Sequence, residues 1–466
     1  MSKTPAMFEC QNCGHASAKW LGRCPDCGSW NSFVEEKRFR FHDAAPAHLR
    51  GDTGRGGGGG AMLLEEVSTE AVPRIDARNP EFNRALGGGI VPGSLILVGG
   101  EPGVGKSTLL LQLAHSLRDE GVRVLYASGE ESAQQIKLRA ERIADSSGAG
   151  ARDGGGIYLL AESNLELILD AVGETDPGVL VVDSIQTVYA GSLDSAPGSV
   201  SQVRHAAMQL LQLAKTRNLP VFLIGHVTKE GGIAGPKALE HIVDVVLYFE
   251  GEGRRHHRIV RAVKNRFGAA GEVGIFEMTS RGLVPAVNPS SLFLMDRDRL
   301  AAGSAVVCAL EGTRPILVEV QSLVVATQYG TGRRVATGVN YNRISVLTAM
   351  LEKRLGVHMA GSDIYVNTAG GLDIDEPGAD LGIFAAILGS LRNRPLDAHA
   401  VLLGELSLSG AVRPVTQASL RVREAAAMGF RRCVIPAGNL PLPDPVNGIV
   451  IEPVKTVGEA SDLLFG

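Results

Sequence analysis

The chain has 466 residues, of which 44% are hydrophobic, and its formal net charge is −4. This length allows about three domains with cores of their own, while no apolar stretch approaches the ~20 residues that cross a bilayer and the first residues lack the apolar core of a secretory signal. We therefore expect a multidomain cytoplasmic protein without a membrane segment. The small negative charge argues against general adhesion to nucleic acid, so any contact with nucleic acid would have to come from local basic patches.

Four cysteines near the start form two Cys-x-x-Cys pairs separated by ten residues: Cys10 and Cys13, then Cys24 and Cys27. Each short loop turns both sulfurs toward one ion, and two such pairs make the tetrahedral thiolate cage that Zn²⁺ prefers. We predict a four-cysteine zinc module over residues 1–42, folded largely by its metal. A redox dithiol or an iron centre is the alternative.

The two tryptophans of the chain, Trp20 and Trp30, both lie in or just after the cysteine pairs. We expect them to wall off the metal, and we favour this interpretation over stacking on nucleic-acid bases.

A Gly-rich stretch over residues 43–65 is too poor in large apolar residues to bury anything, so it predicts a flexible linker. Over residues 66–285, short apolar runs such as "SLILVGG" and "GVLVVDSIQT" alternate with helix-length segments such as "STLLLQLAHSLRDEG". Continuous apolar strands with helices between them predict an α/β domain with a mostly parallel sheet covered on both faces.

The stretch "GEPGVGKS" fits the phosphate-loop pattern G-x-x-x-x-G-K-[ST], between a predicted strand and a predicted helix. Backbone N–H groups of such a loop surround phosphate oxygens, and the lysine reaches the β- and γ-phosphates of ATP. The predicted nucleotide-binding residues are Gly100, Glu101, Pro102, Gly103, Val104, Gly105, Lys106, Ser107, Thr108 and Asp183. Of these, the Ser107 hydroxyl and the Asp183 carboxylate, at the end of an apolar run, are the predicted Mg²⁺ ligands.

Catalysis needs a group that orients the attacking water, and Glu130 and Glu131 follow the predicted strand "VRVLYAS". The carboxyl ends of parallel strands carry the active sites of such sheets. A solvated acidic pair at the start of a helix is the alternative, and the residues alone do not choose between the two acids.

Candidate sensor and DNA-binding residues come later in this domain. His226 and Lys229 follow the apolar run "VFLIG", where a γ-phosphate sensor would lie; for His226 a structural role is equally compatible with the sequence. The segment "GRRHHRIVRAVKNRFG" then packs cations against alternating apolar residues, which predicts strands whose basic side chains face a polyanion or a neighbouring subunit's nucleotide. Its basic residues are Arg254, Arg255, Arg258, Arg261, Lys264 and Arg266.

Residues 286–466 contain a second alternation of apolar runs and helix-length segments, which predicts another α/β domain.

Taken together, the cysteine pairs, "GEPGVGKST", "YASGEES", "VVDSIQT" and above all "KNRFG" at 264–268 resemble the bacterial RadA (Sms) family of DNA repair proteins over essentially the whole chain. The resemblance implies a RecA-like ATPase core, a hexameric ring, and a helicase that promotes branch migration of recombination intermediates beside a RecA-type recombinase. It also implies that Glu130 is the catalytic acid and that Lys264 and Arg266 reach ATP bound by the adjacent subunit. The implied ligands are ATP, Mg²⁺, Zn²⁺, single-stranded DNA and branched recombination intermediates.

The C-terminal domain is similar to the proteolytic domain of Lon, most clearly over 360–466, through "GGLDIDEPGADLGIFAAILGS" and "LLGELSLSGAVRPV". Gly378 stands where Lon carries its catalytic serine, and the stretch after Val415 lacks a lysine where the general base is expected. Covalent catalysis needs both groups, so we expect a scaffold for oligomerisation and DNA contact, with Arg333, Arg334 and Arg343 as candidate contacts. An ATP-dependent protease and an ATP-switched DNA-binding regulator remain the rival functions.

Overall fold

The computed structural model describes residues 7–10, 16–26, 28, 30, 32–36, 73–144, 154–226, 238–251, 257–294, 301–327 and 332–466. Packing divides the chain into two units, Met1–Ala286 and Val287–Gly466. Among the described helices, none combines the length and apolar character that crossing a bilayer requires.

The N-terminal module is a small antiparallel sheet in the order β2-β1-β3, with β1 at Met7–Cys10, β2 at Ala16–Ser17 and β3 at Phe33–Glu36. Its buried residues in the described part are Cys10, Cys24 and Phe33, against which Phe8 and Leu21 pack. So small a core contributes little folding free energy without a metal.

A larger sheet organises the rest of the first unit. Its described strands are β4 Leu95–Gly100, β5 Arg123–Ser128, β6 Gly156–Ala161, β7 Val179–Asp183, β8 Val221–His226, β9 Val245–Glu250, β10 His257–Asn265, β11 Val273–Thr279 and β12 Gly282–Pro285. They lie in the order β12-β11-β10-β9-β4-β8-β7-β5-β6. The strands from β9 to β6 pair in parallel, whereas β10, β11 and β12 pair antiparallel.

Helices cover both faces of this sheet. They are α1 Pro80–Ala85, α2 Lys106–Asp119, α3 Ala133–Ala144, α4 Leu165–Thr175 and α5 Val200–Arg217. Successive residues of β4 alternate between the two cores: Leu95 and Leu97 pack with α4 and α5, while Ile96 and Val98 pack with α2. A continuous apolar strand is therefore buried on both sides, as its sequence predicts.

The second unit is built on a mixed sheet in the order β15-β16-β14-β13-β17-β20-β21. Its strands are β13 Ser304–Glu311, β14 Arg314–Ala326, β15 Arg334–Thr337, β16 Ser362–Thr368, β17 Ala400–Leu402, β18 Glu405–Leu406, β19 Val412–Arg413, β20 Arg432–Pro436 and β21 Val450–Val454, with β18 and β19 forming a separate pair. The helices are α6 Tyr341–Leu355, α7 Asp380–Leu391, α8 Ala418–Ala427 and α9 Val457–Phe465. Residues 380–389 of α7 are all buried, as expected for a helix that is apolar on every side after its first residue, Asp380.

Candidate active site

The phosphate loop connects β4 to α2, and its glycines allow the sharp turn. Gly103 has φ +76° and Gly105 has φ +118°, conformations that side chains with a Cβ rarely adopt. A Cβ on Gly105 would also come within 3.0 Å of the Met278 Cε atom. The helix begins at Lys106, so the positive end of its dipole faces the loop.

Lys106 is buried and holds the loop together from inside. Its Nζ donates to the carbonyl oxygens of Gly100 and Glu101, both at 2.9 Å, and lies 3.2 Å from His226 Nδ1. Burial lowers the pKa of Lys106 to about 8, although nearby carboxylates oppose this change. The Lys106 ammonium is thus bound by neutral carbonyl oxygens. The charged oxygens of a bound phosphate would replace these acceptors.

His226 joins the lysine to the candidate catalytic acid. Its Nε2 lies 3.2 Å from Glu130 Oε1, while its Nδ1 faces Lys106. Because an ammonium only donates, Nδ1 is assigned as the acceptor and Nε2 as the protonated nitrogen. The hydrogen bond from His226 holds the pKa of Glu130 below its ordinary value, and a further bond from the Ser184 hydroxyl acts in the same direction against the effect of burial.

The two neighbouring glutamates have different surroundings. Both backbone N–H groups face the Ser128 hydroxyl, Glu130 at 3.3 Å and Glu131 at 3.1 Å. The carboxylate of Glu131 turns away to pair with Arg139 of α3. Only Glu130 of this pair contacts His226, which distinguishes the two acids by geometry.

Asp183 ends β7 and is 3% exposed. Its Oδ2 accepts a 2.7 Å hydrogen bond from the Tyr126 hydroxyl, whereas its Oδ1 has no hydrogen-bond partner among the described residues. A buried carboxylate oxygen without a donor is a suitable ligand for a hard divalent cation. Ser107 lies in the first turn of α2, and its hydroxyl with the Asp183 carboxylate would be suitable ligands for a divalent cation.

Arg258 is placed differently from the sequence expectation. It is 5% exposed, and its Nε donates to the carbonyl oxygen of Val104 in the phosphate loop at 3.1 Å. A side chain in this position is unavailable to DNA unless it leaves the loop, so we reinterpret Arg258 as a support of the phosphate loop. The neighbouring cation Arg261 pairs with Glu250 across β9 and β10.

Lys264 and Arg266 lie at the far end of β10, where they bond to their own unit. Lys264 Nζ donates to the carbonyl oxygens of Glu240 and Val243, at 2.6 and 2.8 Å. Arg266 Nη1 lies 3.2 Å from Asp244 Oδ1, and the Arg266 side chain remains 54% exposed. Neither residue is directed at the phosphate loop of the same chain.

Asp244 anchors this cluster at the opposite end of the sheet from the phosphate loop. It is buried and also accepts from Lys215 Nζ at 2.7 Å and from the backbone N–H of Leu95 at 3.1 Å. Leu95 begins β4 and the loop follows Gly100 at its end, so about 16 Å of strand separates the two sites.

Comparison with known proteins accounts for each part of the chain. The model of the AAA domain matches residues 64–232, that of a rubredoxin metal binding domain matches 8–35, and that of subunit ChlI of Mg-chelatase matches 337–439. The DNA repair protein RadA of Halalkalibacterium halodurans is 50% identical over 100% of both chains, and that of Bacillus subtilis is 48% identical over 99% of this chain and 98% of its own. The solved RadB recombinase aligns with 45% of this chain and 99% of its own at 22% identity and a TM-score of 0.37.

The chain belongs to the RadA family. The predicted fold class is confirmed: an N-terminal zinc ribbon, a P-loop ATPase core with a mostly parallel sheet, and a C-terminal α/β domain in the region that we predicted to be Lon-like. The AAA domain implies ATP with a divalent cation, and the ribbon implies zinc.

The zinc ribbon of this RadA-family chain brings one thiol from each cysteine pair into one core, since Cys10 and Cys24 are buried together. That arrangement fits a shared metal. The other predicted ligands, Cys13 and Cys27, lie outside the described residues, as do the DNA-contact and sensor candidates Lys229, Arg254 and Arg255.

The tryptophans do not wall off the metal. Trp20 is 51% exposed and Trp30 is 71% exposed, so our favoured interpretation of these residues is wrong. The ribbon core is closed instead by Phe33, together with Phe8 and Leu21.

In the C-terminal domain, an ion pair between buried Arg421 and partly exposed Glu376 lies beside Gly378, the position that the resemblance to Lon assigns to the nucleophile. Arg421 is 1% exposed and pairs with Glu376 through two nitrogens. A Cβ added to Gly378 would lie 3.4 Å from Arg421 Nη1. The guanidinium also donates to the carbonyl oxygens of Cys308 and Thr416, so it is held fixed as a charged group and cannot act as a base.

Two arginines that we considered as DNA contacts of this domain bond to the domain itself. Arg343 pairs with buried Asp380, and Arg334 Nη1 donates to the Ser362 carbonyl oxygen at 2.6 Å.

Sequence reasoning missed Tyr126, Ser184 and Asp244. Two of them belong to segments that we singled out, "YASGEES" for Tyr126 and "VVDSIQT" for Ser184, whereas Asp244 lies outside every such segment. Their partners lie 57, 54 and 22 residues away along the chain, so only the sheet register brings them together.

Proposed function

We propose that this protein is a DNA-dependent ATPase of recombinational DNA repair, which acts as a hexameric helicase and promotes branch migration beside a RecA-type recombinase. The proposal rests on the family of the chain and on one observation: His226 contacts both Lys106 and Glu130, so that the three side chains form a connected set. Under this proposal the protein acts in the cytoplasm, on the chromosome.

Each residue of this set has a role in the proposed reaction. Lys106 exchanges the Gly100 and Glu101 carbonyls for phosphate oxygens, and this exchange removes the donor at His226 Nδ1. Glu130 then orients the attacking water, while Ser107 and Asp183 hold Mg²⁺. A bound magnesium ion supplies charge neutralisation for the phosphates.

Lys264 and Arg266 support the trans part of the proposal. They lie about 16 Å along the sheet from their own phosphate loop, and more than half of the Arg266 side chain is exposed. An exposed guanidinium at the opposite end of the sheet suits contact with a nucleotide on an adjacent subunit, where a cation acting in trans can raise turnover by orders of magnitude. Ring assembly is then a condition for activity.

The first test measures ATP hydrolysis by zinc-loaded protein with and without single-stranded DNA. We expect Lys106→Ala to abolish nucleotide-dependent activity and DNA to stimulate the unmodified protein. A hydrolysis rate that is indifferent to DNA, together with no ring in any nucleotide condition, would contradict the motor.

The second test mixes Lys106→Ala protein with Arg266→Ala protein, each inactive or slow alone. A mixed ring has interfaces with an intact Lys106 on one side and an intact Arg266 on the other, so we expect partial recovery of ATP hydrolysis. Lys215→Ala is the matched control, because it removes a comparable contact with Asp244 outside the "KNRFG" motif. If the Lys215→Ala mixture behaves identically, Arg266 acts only through folding.

The two rival functions predict different reaction products. A Lon-like protease predicts ATP-dependent casein digestion, which the fixed Arg421 and the glycine at 378 argue against. An ATP-switched regulator predicts DNA-stimulated hydrolysis without strand displacement on a forked duplex.

A further inference from the structure

The chain has two tryptophans, Trp20 and Trp30, and both are exposed on the zinc ribbon. Burial of a large aromatic side chain is favourable by about 1.5–3 kcal/mol. The ribbon nevertheless leaves half or more of each ring in solvent around a core whose described buried members are Cys10, Cys24 and Phe33. Two such exposures on one small module point to a binding surface.

Both rings are held in place by the ribbon itself. Trp20 Nε1 donates to the Phe33 carbonyl oxygen at 3.0 Å, and the Trp20 ring lies beside Gly22. The Arg23 guanidinium lies 5.7 Å from the centroid of the Trp30 ring and donates to the Gly28 carbonyl oxygen at 3.1 Å. Because the rings are already ordered, a ligand that stacks on them loses less side-chain entropy.

Cations accompany both rings. Lys19 directly precedes Trp20 and is exposed, while exposed Arg23 contacts Trp30. Flat aromatic faces beside positive charges match single-stranded DNA, whose bases stack and whose phosphates pair with cations. Protein interfaces also favour tryptophan and arginine but are depleted in lysine, whereas Lys19 is exposed directly beside Trp20.

We propose that Trp20 and Trp30, with Lys19 and Arg23, form a stacking platform for the bases of single-stranded DNA on the zinc ribbon. This inference rests on the proposed action of the protein on DNA. It adds a DNA contact separate from the basic residues of the ATPase core.

The chain offers a direct probe, because its intrinsic tryptophan fluorescence comes from the ribbon alone. Zinc-loaded full-length protein is titrated with oligo(dT), and tryptophan emission is recorded beside the anisotropy of a labelled oligo(dT). We expect saturable quenching that follows the anisotropy. Binding by anisotropy without a change in emission overturns the platform and leaves the surface to a protein partner, whereas no binding by either signal overturns the proposed function as well.

Variants give the second readout. Trp30→Ala should weaken oligo(dT) binding by about 5- to 140-fold, the effect of losing one stacked base, and leave ATP hydrolysis without DNA unchanged. Tyr158→Ala is the matched control, because Tyr158 is an aromatic residue of the first unit that is 43% exposed. This variant should bind oligo(dT) normally. Zinc content verifies folding, and Trp30→Phe should restore most of the affinity. Equal affinity in Trp30→Ala and Tyr158→Ala overturns the platform.

Discussion

At the scale of single residues, Tyr126 orients the Asp183 carboxylate. Its hydroxyl donates to Oδ2 and leaves Oδ1 without a protein donor in the described structure. Hydrogen bonds to charged groups contribute about 1.5–3 kcal/mol, so Tyr126→Phe should raise the Mg²⁺ concentration needed for half-maximal binding of a fluorescent ADP by roughly 10- to 100-fold. Binding without Mg²⁺ should change little.

Tyr158→Phe serves as the control for this prediction, since Tyr158 lies on the edge strand β6, away from Asp183. An unchanged Mg²⁺ dependence in Tyr126→Phe would mean that Asp183 is positioned by the strand alone.

His115 in α2 makes the ATPase core sensitive to acid. The side chain is buried, and neither ring nitrogen has a hydrogen-bond partner among the described residues. Burial lowers the pKa of His115 below its ordinary 6.5, with Arg118 acting in the same direction. Below about pH 6.5 the unfolded chain therefore binds a proton that the folded chain does not, and stability falls as the pH falls.

We expect His115→Leu to reduce this loss, which is at most about 1.4 kcal/mol for each pH unit below 6.5. The measurement is the thermal unfolding midpoint at pH 7.5 and at pH 5.5. Equal drops in midpoint for both proteins would assign the acid sensitivity to other groups.

At the scale of elements, the Glu376–Arg421 pair joins the segment before α7 to the first turn of α8. Removing one member of a fully buried pair leaves an uncompensated charge and costs about 3–5 kcal/mol; because Glu376 is 23% exposed, we expect a cost near the lower end of this range. Arg421→Met should therefore lower the unfolding midpoint of the C-terminal domain strongly, and Glu376→Gln combined with Arg421→Met should recover part of the loss.

The same pair bears on the peptidase alternative. Gly378→Ser restores a hydroxyl near Arg421 but supplies no base, so we expect no casein hydrolysis from this variant with or without ATP. Detectable hydrolysis would show that the site retains catalytic capacity.

At the scale of the whole molecule, the zinc ribbon and the ATPase core have separate apolar clusters. Cys24→Ser should release zinc, measured with a metal-sensitive dye, and unfold the ribbon because the metal supplies most of its folding free energy. Nucleotide affinity should stay within about twofold, because the two clusters share no residue and sites without shared partners couple by no more than roughly 0.5 kcal/mol. A large loss of ATP binding would indicate that the two clusters are energetically coupled.

The sequence by itself determined the features that depend only on neighbouring residues. The turn at Gly103 and Gly105, the helix that begins at Lys106, and the buried strands on either side follow from local steric limits and from hydrophobic periodicity, which act over a few neighbouring positions. The division into a cysteine module and two α/β regions follows from composition for the same reason.

Only the tertiary structure decided which distant groups meet. Sheet register places His226 between Lys106 and Glu130 and sets Lys264 and Arg266 at the far end of the sheet, while helix α3 brings Arg139 to Glu131. It also buries Arg258 against the phosphate loop. The exposure of Trp20 and Trp30 likewise depends on how many side chains the small zinc ribbon can bury. That number is set by packing in three dimensions, and the local pattern of residues does not predict it.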